Sequence, residues 1–161
     1  MFTDLTGFSR QVEAYGILHF LQQIWEHVVL LEPIIVENDG VLIKQEADSL
    51  LVLFRRAEQG LRCAHAMQQA VAKKNIGRTP ETEVLLCVGL GYGQILKIGD
   101  DDVYGAEVNA ASKLGEDTAK ANEILVTGAV KGALGDTPGV TFEQLDQTVL
   151  NKTSAFRVHF A

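Results

Sequence analysis

The chain has 161 residues, enough for one domain that buries a core of its own. Hydrophobic residues make up 47% and charged residues 22%, a globular composition, and the formal net charge is -7. That charge argues against a protein that coats nucleic acid or an anionic membrane. No apolar run approaches the length of a membrane span, so we expect a cytoplasmic domain without membrane insertion.

The first elements are predicted to be a strand end followed by two helices. Residues 1–4 are typical of the end of a strand, and Thr6 occupies an N-cap position before a short helix. Gly16 separates that helix from a long one over about 17–37, in which apolar residues recur at helical spacing. Pro33 is expected to kink or divide the long helix.

The remaining pattern predicts paired strands, a helix and further strands. After the Asn38-Asp39-Gly40 turn, strands are expected at 41–46 and 49–54, followed by a helix at about 56–74 and two buried strands at 84–89 and 94–98. An aspartate-rich loop then leads into a helix over about 106–121. A strand at 123–126, a helical turn at 128–134 and a final pair of strands at 140–145 and 155–160 follow in that order. This order predicts one α/β domain over 1–161, a ferredoxin-like βαββαβ sandwich with extra C-terminal strands.

Two aspartates stand where predicted strands end. Asp4 comes directly before a predicted helix N-terminus, whose exposed amides suit anionic phosphate oxygens. Asp48 lies at the tip of the predicted hairpin, and hard cations such as Mg²⁺ take one or two carboxylates and complete their shell with phosphate. The two carboxylates lie side by side if their strands are neighbours. Each has a structural alternative, a helix cap for Asp4 and a turn residue for Asp48.

A third pattern lies between Asp102 and Leu114. Asn109 and Lys113 are four residues apart, so they share one helix face. Asn109 is flanked by small and apolar residues, an apolar setting for an amide. The structural alternative is a helix with a polar stripe.

These three segments together resemble the catalytic domain of class III adenylate and guanylate cyclases, in order and in spacing. The segments run from Phe2 to Ser9, from Lys44 to Asp48 and from Asp102 to Leu114. The resemblance extends from residue 2 to about residue 127. It implies that two identical or similar domains pair head to tail, with the active sites in the cleft between them.

The resemblance implies a metal site and a phosphate site. Asp4 and Asp48 match the metal-binding aspartates, with the Leu5 carbonyl as a further ligand for two Mg²⁺ or Mn²⁺ ions. One ion would lower the pKa of the ribose 3′-hydroxyl, and the other would hold the triphosphate and offset charge on the departing pyrophosphate. The residues implied to bind the phosphates are Thr6, Gly7, Phe8 and Ser9.

The resemblance also implies that the partner chain contributes the remaining side chains. Lys44 and Asp102 match the pair that reads adenine, a cation donating to a ring nitrogen and a carboxylate accepting from the exocyclic amine. Guanylate cyclases generally carry a different pair, so ATP is the expected substrate. Asn109 would orient the ribose, and Lys113 would face the phosphates in the transition state.

Two positions depart from the family pattern. The family usually has arginine where Lys113 stands, and lysine lacks the planar fork that can hold two phosphate oxygens. The family favours glycine where Ala47 stands, and alanine is strained there if the backbone needs a positive φ. The glycines at 89, 91 and 93 lack the GxGxxG spacing of a dinucleotide site and predict close backbone approach at a sheet or dimer contact.

The expected protein is therefore an adenylate cyclase domain that converts ATP into cyclic AMP as a homodimer or beside a second cyclase domain. Two alternatives stay open: a weak or inactive cyclase-like domain that binds nucleotide or dimerises to regulate its neighbours, and a guanylate cyclase. The chain opens directly on Phe2-Thr3-Asp4, as a domain cut from a longer signalling protein with flanking regulatory domains would. Nucleic-acid binding is not expected.

Overall fold

The computed structural model describes residues 1–6, 8–100, 102–146 and 153–161, without the side chains of residues 8–10. The strands in this part are β1 (Phe2–Thr6), β2 (Val41–Glu46), β3 (Ser49–Leu53), β4 (Leu85–Leu90), β5 (Leu96–Ile98), β6 (Asp102–Tyr104), β7 (Ile124–Thr127), β8 (Val140–Gln144) and β9 (Ala155–Phe160). The helices are α1 (Phe8–Tyr15), α2 (Ile17–Glu37), α3 (Ala57–Lys74), α4 (Ala106–Ser112) and α5 (Gly128–Leu134), and a π-helical turn covers Lys113–Thr118.

A seven-stranded sheet organises the domain, in the order β2-β3-β1-β4-β7-β9-β8. Its first four strands are antiparallel neighbours, with β1 between β3 and β4. Together with the helices that connect them, they form the predicted ferredoxin-like βαββαβ unit, so the expected fold is confirmed. Strand β7 adds to β4 in parallel, and β9 and β8 extend the sheet at its C-terminal edge.

The main core lies between the sheet and the long helices α2 and α3. Leu31 and Ile35 of α2 and Met67 and Val71 of α3 are almost completely buried, and they pack in one cluster with the β3 and β4 side chains. A smaller cluster includes Leu114 of the π-helical turn. Because helices pack on the sheet through apolar side chains, burial rather than local propensity holds the layers together. None of the described helices has both the length and the apolarity needed to cross a bilayer.

Three predicted elements differ from the structure. Pro33 was expected to kink or divide α2; it does not divide the helix, which is continuous to Glu37. Val29, whose carbonyl loses its helical partner, lies with Pro33 on the exposed face, where water can satisfy it. The predicted 106–121 helix ends at Ser112 and widens into the π-helical turn. The predicted 94–98 strand is exposed rather than buried: only Leu96–Ile98 is a strand, and it pairs with β6, which was expected to be loop, in a separate ribbon.

Ala47, in the turn between β2 and β3, has φ 51, a left-handed backbone conformation. The backbone at Ala47 therefore has the positive φ at which alanine is expected to be strained. An L-residue with a Cβ pays a steric penalty there that glycine does not. The turn that carries Asp48 thus holds a strained backbone one residue before the aspartate.

We expect Ala47→Gly to stabilise the domain by about 0.5–1 kcal/mol, because glycine relieves the left-handed strain. The matched control is Ala72→Gly, at an exposed position inside α3, which should destabilise by about 0.5–1 kcal/mol through lost helix propensity. Urea unfolding of both variants measures the two changes. If Ala47→Gly lost as much stability as Ala72→Gly, the claim that the backbone at Ala47 is strained would be wrong.

His27 of α2 is buried in the core without a polar partner. Its side chain is 1% exposed, and neither ring nitrogen has a hydrogen-bond partner in the described part of the chain. Burial, with a smaller effect of the positive charge of Lys74, lowers the pKa of His27 to about 4. The folded state therefore holds this ring neutral at pH values where an unfolded chain would already protonate it.

Stability should consequently fall as the pH drops from about 6.5 towards 4, because the unfolded state binds the proton first. With a folded pKa of about 4, His27 alone accounts for a loss of about 2 kcal/mol between pH 7.5 and pH 5. His27→Leu should lack that part of the loss. Urea unfolding of both proteins at the two pH values measures it, and an equal loss in the two proteins would assign the acid sensitivity to other groups.

Candidate active site

The two predicted metal aspartates lie on neighbouring strands, but Asp4 is the middle residue of β1 and not its end as expected, while Asp48 directly precedes β3. Because β1 pairs antiparallel with β3, with Thr3 opposite Leu50, Asp4 comes beside Ser49. The Ser49 Oγ donates a hydrogen bond of 2.9 Å to Asp4 Oδ1. Asp48 directly precedes Ser49 in the turn, and both carboxylates are partly buried. The sheet register therefore brings together two aspartates that are 44 positions apart in the numbering.

The electrostatic surroundings leave this acidic pair without a counter-charge. Burial raises the pKa of Asp4, opposed by the Ser49 hydrogen bond and reinforced by the charges of Asp48 and Glu116. Burial also raises the pKa of Asp48, again with a contribution from Glu116. Neither aspartate forms a salt bridge within the described residues. Two partly buried oxygen donors without a protein cation suit a hard divalent ion.

The protein supplies few ligands beyond these two. Among the described residues, no three His, Cys, Asp or Glu side chains are arranged to hold a metal ion. Any ion at Asp4 and Asp48 would have to complete its shell with backbone carbonyls, water or phosphate, as Mg²⁺ does in phosphate-binding proteins. Leu5, the predicted carbonyl ligand, follows Asp4 in β1, and its side chain is buried.

The predicted phosphate segment is only partly described. Thr6 is the last residue of β1 and not the N-cap of α1, because the strand extends to it. Its hydroxyl is buried and has no hydrogen-bond partner in the described part of the chain. Phe8 and Ser9 are the first residues of α1, and their side chains are outside the description, as is Gly7 altogether.

Lys44 and Asp102 form an ion pair, although 58 positions separate them. Lys44 Nζ lies 3.0 Å from Asp102 Oδ2, because β6 contacts β2. Lys44 Nζ also lies 2.9 Å from Glu46 Oε1, and these two hydrogen bonds raise the pKa of Lys44 to about 12. The hydrogen bond from Lys44 lowers the pKa of Asp102, and the Val103 amide donates to its other oxygen. The two predicted base-reading residues thus share one charged site.

Asn109 and Lys113 lie on the exposed side of the α4 segment. The apolar setting expected for Asn109 is wrong: α4 buries Ala110 and Ala111 against the sheet and turns Asn109 towards solvent. Lys113 follows at the end of α4, also exposed. In the described part of the molecule, neither side chain has a hydrogen bond or ion pair. Both are therefore available to a ligand.

The β5–β6 ribbon carries an apolar face beside Asp102. Leu96 pairs with Tyr104 and Ile98 with Asp102, so these four side chains share one face of the ribbon. Leu96, Ile98 and Tyr104 are 60%, 61% and 54% exposed. Large apolar side chains clustered on a surface mark an interaction site more often than isolated ones do.

Two further residues near the candidate site, Glu107 and Glu116, were not predicted from the sequence. Glu107, in the first turn of α4, accepts hydrogen bonds from two other elements. Glu116, in the π-helical turn, is hydrogen-bonded by Ser112 and adds negative charge near Asp4 and Asp48. Both resemble ordinary helix-surface residues in the sequence, since only the packing of α4 on the sheet brings them to the site.

Comparison with known proteins agrees with this geometry. Over residues 1–160 the chain matches the family described as "Adenylate and Guanylate cyclase catalytic domain". It is 33% identical over 113 residues, 69% of this chain and 19% of the relative, to "Putative adenylate cyclase 3" of Rhizobium meliloti (strain 1021). It is 32% identical over 131 residues, 81% of this chain and 15% of the relative, to serine/threonine-protein kinase pkn2 of Myxococcus xanthus. The chain thus spans less than a fifth of the length of these relatives.

A solved structure shows the same architecture. The crystal structure of an adenylate/guanylate cyclase/hydrolase from Silicibacter pomeroyi superposes with a TM-score of 0.82 at 28% identity, covering 97% of this chain and 90% of that one. The family match over nearly the whole chain and this shared fold lead to one conclusion. The chain belongs to the adenylate and guanylate cyclase catalytic domain family and has the class III nucleotide cyclase fold.

Proposed function

We propose that this domain is an adenylate cyclase, which converts ATP into cyclic AMP and pyrophosphate at a site shared by two copies of the chain. The observation that carries the proposal is the 3.0 Å contact between Lys44 and Asp102. This pair offers a donor for an adenine ring nitrogen and an acceptor for the exocyclic amine. Guanine would present a carbonyl oxygen where adenine has that amine, so the Asp102 carboxylate would repel it.

Asp4 and Asp48 are the residues that would hold two Mg²⁺ or Mn²⁺ ions, with the Leu5 carbonyl as a further ligand. Their fit rests on the donor chemistry: two partly buried carboxylates whose pKa values are raised and which form no salt bridge with any cation among the described side chains. Bound divalent cations at such a site acidify a coordinated hydroxyl and offset negative charge on phosphate oxygens.

The protein's own groups would position the nucleotide for an in-line attack. The ribose 3′-oxygen forms a bond to the α-phosphorus, the bond to the pyrophosphate oxygen breaks, and the hydroxyl proton passes to water. Asn109 would orient the ribose and Lys113 would face the phosphate charge, while Thr6 and the segment Gly7, Phe8 and Ser9 would bind the phosphates. The Thr6 hydroxyl and the side chains of Asn109 and Lys113 have no hydrogen-bond partner among the described residues, which supports these roles. Positioning and charge stabilisation supply most of the rate in such a reaction.

The second copy is proposed to cover the apolar face of the β5–β6 ribbon. Leu96, Ile98 and Tyr104 are exposed there, and Asp102 lies on the same face. Covering this face would bury apolar area and bring Asp102 to the interface, where the acidic pair of the other copy could share a nucleotide with it. ATP and a second cyclase domain are therefore the proposed partners, and flanking regulatory domains are consistent with the much longer relatives.

A weakly active or purely regulatory cyclase-like domain is the second candidate. Two observations favour it: the strained Ala47 beside Asp48, and a lysine at the phosphate-facing position 113. Lysine keeps the charge but cannot hold two phosphate oxygens in one fork.

Incubation of the domain with ATP or GTP and Mn²⁺ or Mg²⁺, at several protein concentrations, tests the activity. We expect cyclic AMP as the main product, with a specific activity that rises with protein concentration because the site needs two copies. Asp48→Ala should lower the rate about 100-fold or more through the lost metal ligand. The control Asp136→Ala removes an exposed carboxylate outside the site and should leave the rate unchanged.

Cyclic GMP as the main product would contradict the assignment of Lys44 and Asp102. Turnover only after Lys113→Arg would favour the weakly active candidate. No turnover in either protein would favour the regulatory one.

Thermal unfolding at pH 7 tests the metal site independently of activity. The raised pKa of Asp48 means that its charged form destabilises the fold; the cost is absent at low pH and develops as the pH rises through the folded pKa. Asp48→Asn should therefore raise the melting temperature without metal. Mn²⁺ should raise the melting temperature of the wild type but not of Asp48→Asn. An equal Mn²⁺ response in both proteins would place the ion elsewhere.

A further inference from the structure

Glu107 joins three separate elements at the edge of the candidate site. Its Oε2 accepts a hydrogen bond of 2.6 Å from the Thr127 hydroxyl at the end of β7. The same oxygen accepts a hydrogen bond of 3.0 Å from the backbone amide of Tyr92, in the segment that leads from β4 to β5. Thr127 is fully buried, so one end of this arrangement is anchored in the sheet.

The segment after β4 reaches Glu107 only because it lacks side chains at two positions. A Cβ on Gly91 would lie 2.2 Å from the backbone oxygen of Glu107. A Cβ on Gly93 would lie 2.9 Å from Glu107 Cγ. Real Cβ atoms do not approach other atoms this closely, so the two glycines allow the backbone to lie directly on the first turn of α4. The close approach of this segment was predicted at a sheet or dimer contact; at Gly91 and Gly93 the structure shows it against α4.

Two of the three elements that meet at Glu107 carry or lead to proposed nucleotide contacts. Helix α4 bears Asn109, and Lys113 follows at its end. The segment with Tyr92 continues into the ribbon that bears Asp102. Asn109 and Lys113 have no side-chain partners in the described part of the chain, so their positions depend on how the backbone of α4 is held. A helix of seven residues does not hold its own position without such contacts.

We infer that Glu107 is a positioning residue: its carboxylate holds α4 against β7 and against the segment that leads into the β5–β6 ribbon, so that Asp102, Asn109 and Lys113 face the nucleotide as one rigid unit. The inference rests on the proposed function and adds to it a residue that supports the site without touching the substrate. Glu107→Ala removes the acceptor and leaves the buried Thr127 hydroxyl and the Tyr92 amide without it.

Glu107→Ala should lower kcat/KM for ATP by about 10- to 100-fold, mainly through kcat, because small misplacements of catalytic groups cost up to about 100-fold. It should also reduce the preference for ATP over GTP, because Asp102 loses its fixed place. Glu107→Gln should retain most of the activity, since an amide oxygen at the position of Oε2 can accept both hydrogen bonds without the charge. Mn²⁺-dependent thermal stabilisation should persist in both variants, because Asp4 and Asp48 are intact.

Mixing of variant subunits separates positioning from a general loss of folding. In the proposed dimer each site takes its aspartates from one copy and its α4 from the other. Asp48→Ala mixed with Glu107→Ala therefore rebuilds one intact site in each mixed dimer. Random pairing makes about half the dimers mixed, so activity should recover to about a quarter of the wild-type level. Asp48→Ala mixed with Asn109→Ala should behave in the same way, whereas Glu107→Ala mixed with Asn109→Ala should not recover.

Each outcome decides a separate claim. Failure of Asp48→Ala and Asn109→Ala to complement each other would overturn the shared site, and with it the proposed function. If that control pair recovers, wild-type activity of Glu107→Ala, or its failure to complement Asp48→Ala, would overturn the positioning role alone. Equal losses in Glu107→Gln and Glu107→Ala would show that the two hydrogen bonds are not what Glu107 provides.

Discussion

The place of β1 in the centre of the first four strands is the constraint on which the rest of the site depends. Its antiparallel pairing with β3 sets Asp4 beside Ser49, and its pairing with β4 sets Asp4 opposite Cys87. A slip of one residue in either pairing would turn Asp4 to the other face and Leu5 out of the core. The burial of Leu5 therefore secures the position of the carboxylate as well as the core.

The site carries features that cost stability. Asp4 and Asp48 are partly buried like charges with raised pKa values, and Ala47 holds a left-handed backbone next to them. Strain and unneutralised charge persist only where the surrounding structure enforces them, and they concentrate at functional sites. The long helices α2 and α3, packed on the sheet through fully buried apolar side chains, supply the stability that offsets these costs.

The side of the domain that is proposed to face the nucleotide is assembled differently from the acidic pair. Lys44 lies on a sheet strand, whereas Asp102 lies on a ribbon outside the main sheet. Their ion pair, the glycine contacts on α4 and the carboxylate of Glu107 tie the ribbon and α4 to the sheet. Polar contacts between partly exposed residues hold the ribbon and α4 in place, whereas a buried apolar core holds α2 and α3 on the sheet. The geometry of the ribbon and α4 is therefore the part of the domain that a single side-chain substitution alters most readily.

The family and the ferredoxin-like core follow from the sequence, because helical and strand periodicity and three motifs in register are local properties of the chain. The same locality explains what the sequence misjudged: the position of Thr6 and the exposure of Asn109 depend on the surroundings of each residue. Sequence could name Lys44 and Asp102 through the family resemblance, but only the tertiary structure decided that they touch. Glu107 had no sequence signal at all, because its role consists of contacts with Tyr92 and Thr127 that exist only once α4 packs on the sheet.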